Sequence, residues 1–351
     1  MKKTDREAPT VTELCDAYLI SGCGHKKAST LATDRGRIER HIKPLLGKRR
    51  VKDLRQKDIQ KFHDDVAAGK TATDQKTKLR GRAIVEGGKG TAARTVGLLG
   101  GILTFAVSDG MIVANPARGI KRARDRRTET FLSSAQFFAL GAALVEAEEA
   151  WAQYETAHND WVEGGSNGKA PATPCGIAGP PAIAAVRLLI LTGCRKSEIL
   201  TAQWSFIDYG LRLLRLHDSK TGQKDVRLAT VALEVLSRLK RIEGNPYVIP
   251  GAKQGHHFVG LPRAWVLLRT RARLGKLRIH DLRHSFASVG AAGGHSLLMI
   301  GKLLGHADTS TTQRYAHLGD DPIREAADRI ADRIDALMTG NPASEPQPSA
   351  S

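Results

Sequence analysis

The sequence predicts a mainly α chain with one small antiparallel β-sheet, divided into two domains. Three observations predict it. Apolar residues recur at helical spacing through most of the 351 residues. One stretch only, residues 203–230, alternates as strands do and contains a hairpin turn signal. A basic run, Lys121-Arg122-Ala123-Arg124-Asp125-Arg126-Arg127, separates two regions of different charge, and the length allows each its own core.

In the first region, Thr10-Val11-Thr12-Glu13 reads as a capping box, with Thr10 bonding the amide three residues on and Glu13 reaching back. The helix it opens carries Leu14, Tyr18 and Leu19 on one face and stops near Gly22. A second helix fits residues 29–46, with Leu31, Ile38, Ile42, Leu45 and Leu46 at helical spacing. A third fits residues 57–68. Residues 81–90 are rich in glycine and read as a loop. A fourth helix runs from Thr91 to about Ser108, where Asp109-Gly110 ends it, and Ile112-Val113-Ala114-Asn115-Pro116 breaks the pattern before the basic run.

The second region opens at Ser133, a helix N-cap, and its helix extends through Tyr154 toward Trp161. Residues 163–181, rich in Gly, Pro, Ser and Asn, read as a surface loop within an insertion, residues 145–181, to which the sequence assigns no role. Residues 183–191 form an apolar helix leading to Arg195. Residues 204–207, 211–216 and 225–228 read as short strands, with Ser219-Lys220-Thr221-Gly222-Gln223-Lys224 as the turn between the last two. Helices follow over 231–241, 262–274, 281–292, 297–304 and 321–338, the last with Ile323, Ala327, Ile330, Ile334 and Leu337 on one stripe. Residues 339–351 cannot form a core and read as a disordered tail. The expected domains are therefore residues 8–120 and 131–338, joined by a basic linker at 121–130.

Composition bounds the function. The formal net charge is +18 and the pI about 10, which points to a polyanionic partner. Residues 1–127 hold 29 Lys and Arg against 14 Asp and Glu, a net of +15 that leaves +3 for the rest. Such a split suggests that the first half grips nucleic acid while the second does chemistry; a merely solubilising surface is the plainer alternative. Cys15, Cys23, Cys175 and Cys194 lie far apart with no C-x-x-C pair, so neither a zinc site nor a disulfide framework is indicated. No apolar run approaches the roughly 18 residues of a membrane span, and the N-terminus has no export signal. A cytoplasmic protein without a membrane partner is expected.

Five polar residues carry the chemistry. Arg195 lies in Thr192-Gly193-Cys194-Arg195-Lys196-Ser197-Glu198, and His280 and Arg283 in His280-Asp281-Leu282-Arg283-His284. His306 follows Leu304-Gly305, and Tyr315 lies in Thr312-Gln313-Arg314-Tyr315-Ala316-His317. Guanidinium forks match the oxygens of a phosphodiester, imidazoles shuttle protons, and a phenol is an oxygen nucleophile. Glu198 is placed to orient Arg195. His280 and Arg283, three apart, share one face of a helix. His284 reads as structural. Tyr18, Tyr154, Tyr209 and Tyr247 fit core or strand positions, whereas the polar surroundings of Tyr315 are poor core material.

The order and local sequence of these motifs resemble the tyrosine recombinase (phage integrase) family. The resemblance covers roughly residues 10–320, most specifically 192–198, 280–284, 304–306 and 312–317. It implies a helical, SAM-like core-binding domain over 8–120 and a mixed α/β catalytic domain over 131–338. It implies that Arg195, His280, Arg283 and His306 contact the scissile phosphate, with His280 able to accept the nucleophile's proton. Tyr315 would be the nucleophile, forming an O-(3′-phospho-DNA)-tyrosine link and releasing a 5′-hydroxyl. Lys220 matches the family's hairpin lysine, the general acid, with Lys224 close enough to compete for that role.

The resemblance further implies a site-specific recombinase that integrates or excises a mobile element in a bacterial cytoplasm, host-encoded or phage-encoded. Its partners would be duplex DNA with specific sites, three further copies in a tetramer, and an accessory directionality factor. No cofactor or metal is needed when arginines hold the phosphate. The absence of an arm-binding domain before residue 10 favours the two-domain layout. Two alternatives stay open: a type IB topoisomerase that relaxes DNA by the same chemistry, and a DNA-binding protein with a silent site.

Overall fold

The computed structural model describes residues 8–78, 81–121, 130–219, 222–306, 312, 313, 315, 331 and 334. It divides into two compact units, residues 1–127 and 128–351. The first is helical. Helix α1 (Val11–Ala17) opens on the expected capping box, with Thr10 Oγ1 accepting from the Glu13 amide and the Glu13 carboxylate accepting from the Thr10 amide. Helix α2 (Ala28–Arg37), a wide π turn (Ile38–Ile42) and α3 (Lys43–Leu46) form the single helical path predicted over 29–46.

Helices α4 (Gln56–Ala67) and α5 (Lys89–Ser108) complete the unit, with Leu14, Ile38, Ile42, Ile59, Phe62, Leu99 and Ile102 in its core. Contrary to the expected absence of such a run, α5 is long and apolar enough to cross a membrane. Its stripe of Val96, Leu99, Ile102, Leu103 and Ala106 is instead buried in this core. Hydropathy counts apolar residues without regard to what covers them.

Residues 81–90 correct the loop expectation. Strands β1 (Thr73–Lys78) and β2 (Gly81–Val85) pair antiparallel, Thr73 opposite Val85 and Gln75 opposite Ala83, and the Arg82 guanidinium reaches across to Asp74. β1 contains no apolar residue, so no alternation announced it; pairing and cross-strand contacts define the strand. The glycines Gly87 and Gly88 that suggested a loop do form one, at φ +87° and +88°, between β2 and α5.

The second unit opens at Ser133, whose hydroxyl accepts from the Gln136 amide while Gln136 reaches back. Helix α6 (Ser134–Glu163) runs thirty residues, the full extent predicted. The loop to α7 (Pro180–Thr192) is tied to it by Trp151, whose indole donates to the Ala178 carbonyl. Helix α7 is buried along most of its length and is central to the larger core, with Leu144, Leu214, Trp265 and Leu282 among its members. After α8 (Lys196–Leu200) comes a three-stranded antiparallel sheet in the order β3 (Ile207–Asp208), β4 (Leu213–Ser219), β5 (Gly222–Arg227). Residues 204–206, read as the start of a strand, form a 3₁₀ turn before β3.

Helices α9 (Thr230–Ser237), α10 (Leu261–Arg271), α11 (Ile279–Ala292) and α12 (Leu297–Leu304) follow at the predicted places. The Leu132 amide donates to Ser285 Oγ at 2.9 Å, anchoring the entry of the unit on α11. The basic run from Arg122, the hairpin tip with Lys220, the amphipathic segment 321–338 (apart from two positions) and the tail 339–351 lie outside the described residues.

Candidate active site

Three helix ends build the site: the junction of α7 with α8, the first turns of α11, and the end of α12. Helix α7 ends on Gly193 in the left-handed conformation (φ +62°). A Cβ there would lie 2.6 Å from Phe286 and 2.8 Å from Leu304, so only glycine lets α7 approach α11 and α12 this closely. Arg195 is the N-cap of α8, three residues beyond the end of the apolar helix α7 expected to carry it. Its amide and its Nη1 both donate to the Glu198 carboxylate, at 2.9 and 2.7 Å. Glu198 thus orients Arg195, as its spacing suggested.

Glu198 is buried and also meets Lys224 Nζ at 3.5 Å. Burial alone would raise its pKa; the Lys224 charge and the hydrogen bonds from Arg195 outweigh that and hold it below the ordinary 4.5. Lys224 alternates inward with Val226 along β5, and its methylene stem passes Gly305, where any Cβ would come within 2.7 Å of it. The buried Glu198 and Lys224, joined by the partly buried Arg195, should stabilise the fold. Removing the carboxylate should cost about 3–5 kcal/mol at neutral pH, because it strands buried positive charge. A group with a lowered folded pKa stabilises fully above its unfolded value and loses that contribution as pH falls through the folded one. In urea unfolding, the gap between the wild type and Glu198→Ala should therefore be complete above pH 4.5 and shrink below it. A gap below about 1 kcal/mol at pH 7 would refute the network as a stabilising element.

Arg283 is 4% exposed. Its Nη1 donates to the Gly193 carbonyl at 2.7 Å and its Nη2 to the Leu304 carbonyl at 2.8 Å. These are C-terminal carbonyls of α7 and α12, the helix ends where orphan acceptors and the negative dipole pole favour a cation. Burial and then the nearby Arg195 lower its pKa, yet a guanidinium remains charged. Helix α12 ends on a second left-handed glycine, Gly305 (φ +69°), with the His306 amide bonding back to the Gly301 carbonyl. His306 Nδ1 lies 2.8 Å from Thr312 Oγ1.

His280 occupies the first turn of α11 with an exposed edge. Burial of the rest of its ring, then Arg283, Arg278 and Arg195, lower its pKa below the ordinary 6.5 against the opposing charge of Asp281. Asp281 itself is buried and held by the Arg278 guanidinium at 2.7 Å, a helix-start partner.

Tyr315 departs from its reading. Its polar sequence neighbours suggested a position outside any core, but it is 3% exposed and packs with Ala287, Ala291, Ile300 and Leu304. Tyr209, by contrast, is exposed. The Tyr315 hydroxyl lies 2.6 Å from Nδ1 of His284, the histidine set aside as structural. The rings of His284 and His280 meet edge to face at 4.9 Å. The structure thus brings Arg195, His280, Arg283, His306 and Tyr315 to one place and adds Glu198, Lys224 and His284. All three additions were signalled: Glu198 is three residues from Arg195, His284 is four residues from His280 on one helix, and Lys224 has the parity of the inward-facing Val226.

Comparison with known proteins bears on the family and the fold. Residues 179–321 match the model of the phage integrase family, and residues 10–66 that of the phage integrase N-terminal SAM-like domain. The chain is 31% identical over 157 residues to the tyrosine recombinase XerC of Pediococcus pentosaceus, covering 41% of this chain and 52% of that protein. The match thus spans about half the length of that relative. Among solved structures, a lambda integrase dimer bound to a COC′ core site superposes with a TM-score of 0.62 at 19% identity, covering 89% of this chain and 96% of that one. A lambda integrase tetramer bound to a Holliday junction gives 0.60 at 18% identity, covering 88% and 80%.

Proposed function

The chain belongs to the tyrosine recombinase (phage integrase) family, and from that membership and the site we propose that it is a site-specific DNA recombinase. One observation carries the reading most directly: a buried guanidinium, Arg283, fixed by two helix ends in the electrostatic neighbourhood of Arg195, His280 and Tyr315. Fixed positive charge is what a phosphodiester gathering negative charge requires, and it needs no reorganisation at the moment of reaction. Arg195 and Arg283 hold the non-bridging oxygens, with His280 and His306 donating hydrogen bonds. Tyr315 attacks phosphorus and forms a 3′-phosphotyrosyl link; the departing 5′-oxygen takes a proton from Lys220. Lys224 is the less suitable acid, since its ammonium is buried against Glu198.

In this reading residues 8–120 grip duplex DNA, 121–130 link the domains, 131–338 carry the chemistry and 339–351 trail. The energy of the broken ester stays in the phosphotyrosine, so a partner strand's 5′-hydroxyl reseals the DNA without a nucleotide cofactor. Four copies act on two sites, by analogy with the tetramer on a Holliday junction, in the cytoplasm where the DNA lies. The reaction integrates or excises a mobile element, its direction set by an accessory factor.

The test is to express the protein in cells, denature rapidly, recover the DNA covalently attached to it and sequence the attachment points. The expected result is a small number of discrete sites, and exchange between two plasmids that each carry one. Adducts scattered over all sequences, with supercoils relaxed but no exchange, would replace the recombinase reading by the topoisomerase one. Absence of any adduct would leave a silent DNA-binding protein.

A further inference from the structure

The phenol of Tyr315 must lose its proton to become a nucleophile, and with an ordinary pKa near 10 it needs a neighbouring base. Two histidines on α11 are candidates. A general base must lie within about 2.6–3.2 Å of the atom it deprotonates. His284 Nδ1 is 2.6 Å from Tyr315 Oη. The contact is held from both sides. The Tyr315 ring is packed among Ala287, Ala291, Ile300 and Leu304, and its amide donates to the Thr312 carbonyl at 3.0 Å. His284 follows Arg283, whose guanidinium is pinned to two helix ends, so the register of α11 at this turn is fixed.

His280 is differently placed. Burial, and then Arg283, Arg278 and Arg195, disfavour a further positive charge on its ring and outweigh the opposing Asp281. That setting suits a neutral imidazole donating to phosphate better than one collecting a proton.

We propose that His284, and not His280, takes the phenolic proton of Tyr315; the inference rests on Tyr315 being the nucleophile. In the forward step the Oη–P bond forms and the P–O5′ bond breaks. The Oη proton passes to His284 Nδ1, and the departing O5′ takes a proton from the general acid. In resealing, an incoming 5′-hydroxyl attacks, the P–Oη bond breaks and His284 returns its proton to Oη. His284 thereby becomes an imidazolium while the phosphotyrosine exists. Among the described residues, the other ionisable groups of the site are His280, Asp281 and Arg283 on α11, Arg278 at its start, Cys194, Arg195 and Glu198 at the α7–α8 junction, Lys224 on β5 and His306 after α12. Of these, Glu198 is already balanced by Arg195 and Lys224.

The experiment measures the rate of covalent capture by the full-length protein on a duplex carrying the site recovered by trapping. The wild type is compared with His284→Gln, His284→Ala, and His284→Ala carrying a fluorinated tyrosine at position 315 whose phenol ionises near neutral pH. Glutamine keeps a hydrogen-bonding group of similar reach but cannot take up the proton, so it separates positioning from proton transfer. Both simple variants should bind DNA normally and lose about 100-fold in capture rate, the usual worth of a general base. The fluorinated tyrosine should restore most of that loss, since an ionised phenol needs no base. Capture by His284→Gln at the wild-type rate, or a fluorinated variant as slow as His284→Ala, would overturn the assignment. A wild type that forms no adduct would instead overturn the nucleophile reading on which it rests.

Discussion

Replacing Tyr315 by phenylalanine should abolish covalent capture of DNA while leaving the fold and DNA binding close to normal. The separation comes from where the residue sits. Its ring is 3% exposed among Ala287, Ala291, Ile300 and Leu304, and phenylalanine fills the same volume. The substitution removes one oxygen, and with it the 2.6 Å contact to His284. A single hydrogen bond is worth about 1 kcal/mol of stability, whereas truncation to alanine would leave a cavity costing about 3–5 kcal/mol. Tyr315→Phe is therefore the informative variant and Tyr315→Ala the confounded one. The chemical effect is total by comparison, because no phosphotyrosine can form without Oη. The measurement is a denaturing gel of protein mixed with cleavable DNA, paired with a thermal melt. A slow-migrating adduct with the phenylalanine variant would mean that another residue is the nucleophile.

The second large effect is expected at Arg283, where stability and catalysis should fall together. Alanine there leaves the Gly193 and Leu304 carbonyls without their donors, at about 1–3 kcal/mol for each buried unsatisfied group. In the proposed mechanism it also removes a donor aimed at the developing charge on phosphate, commonly worth about 3–4 kcal/mol, or roughly 100- to 1000-fold in rate. Lysine is not a substitute: one ammonium cannot span two carbonyls and still address phosphate. Arg195→Ala should differ, since Arg195 is more exposed and sits at the start of a helix. Its cleavage loss should be similar and its melting shift smaller. Cleavage by Arg283→Ala within about tenfold of the wild type would remove it from the phosphate site.

Much of this was legible in the chain because it is local. The capping box at Thr10 and the N-cap at Ser133 satisfy amides three residues away, so a few letters suffice to read them. Helix α12 begins at a serine and ends at a glycine that closes it, and its bounds were read as they stand. Arg195 with Glu198, and His280 with Arg283, are pairs three residues apart whose association follows from helical geometry.

What could not be read depends on residues distant in sequence. The β1–β2 hairpin has a polar first strand that becomes a strand only by pairing with the second. Lys220 matched a motif, but nothing in the motif revealed that Lys224 would be buried against Glu198, 26 residues earlier. His284 passed as structural because its partner is 31 residues on, and Tyr315 was judged by polar sequence neighbours that are not its packing neighbours. The sequence by itself determined most of the helical elements and set apart the arginines and histidines whose chemistry suits a phosphate. Tertiary structure alone decided which histidine meets the phenol, which lysine is spent on an ion pair and what clamps Arg283. Helix propensity, capping and periodicity act over a few residues, whereas these contacts exist only once α7, α11 and α12 have packed and their glycine-ended carbonyls have converged on one guanidinium.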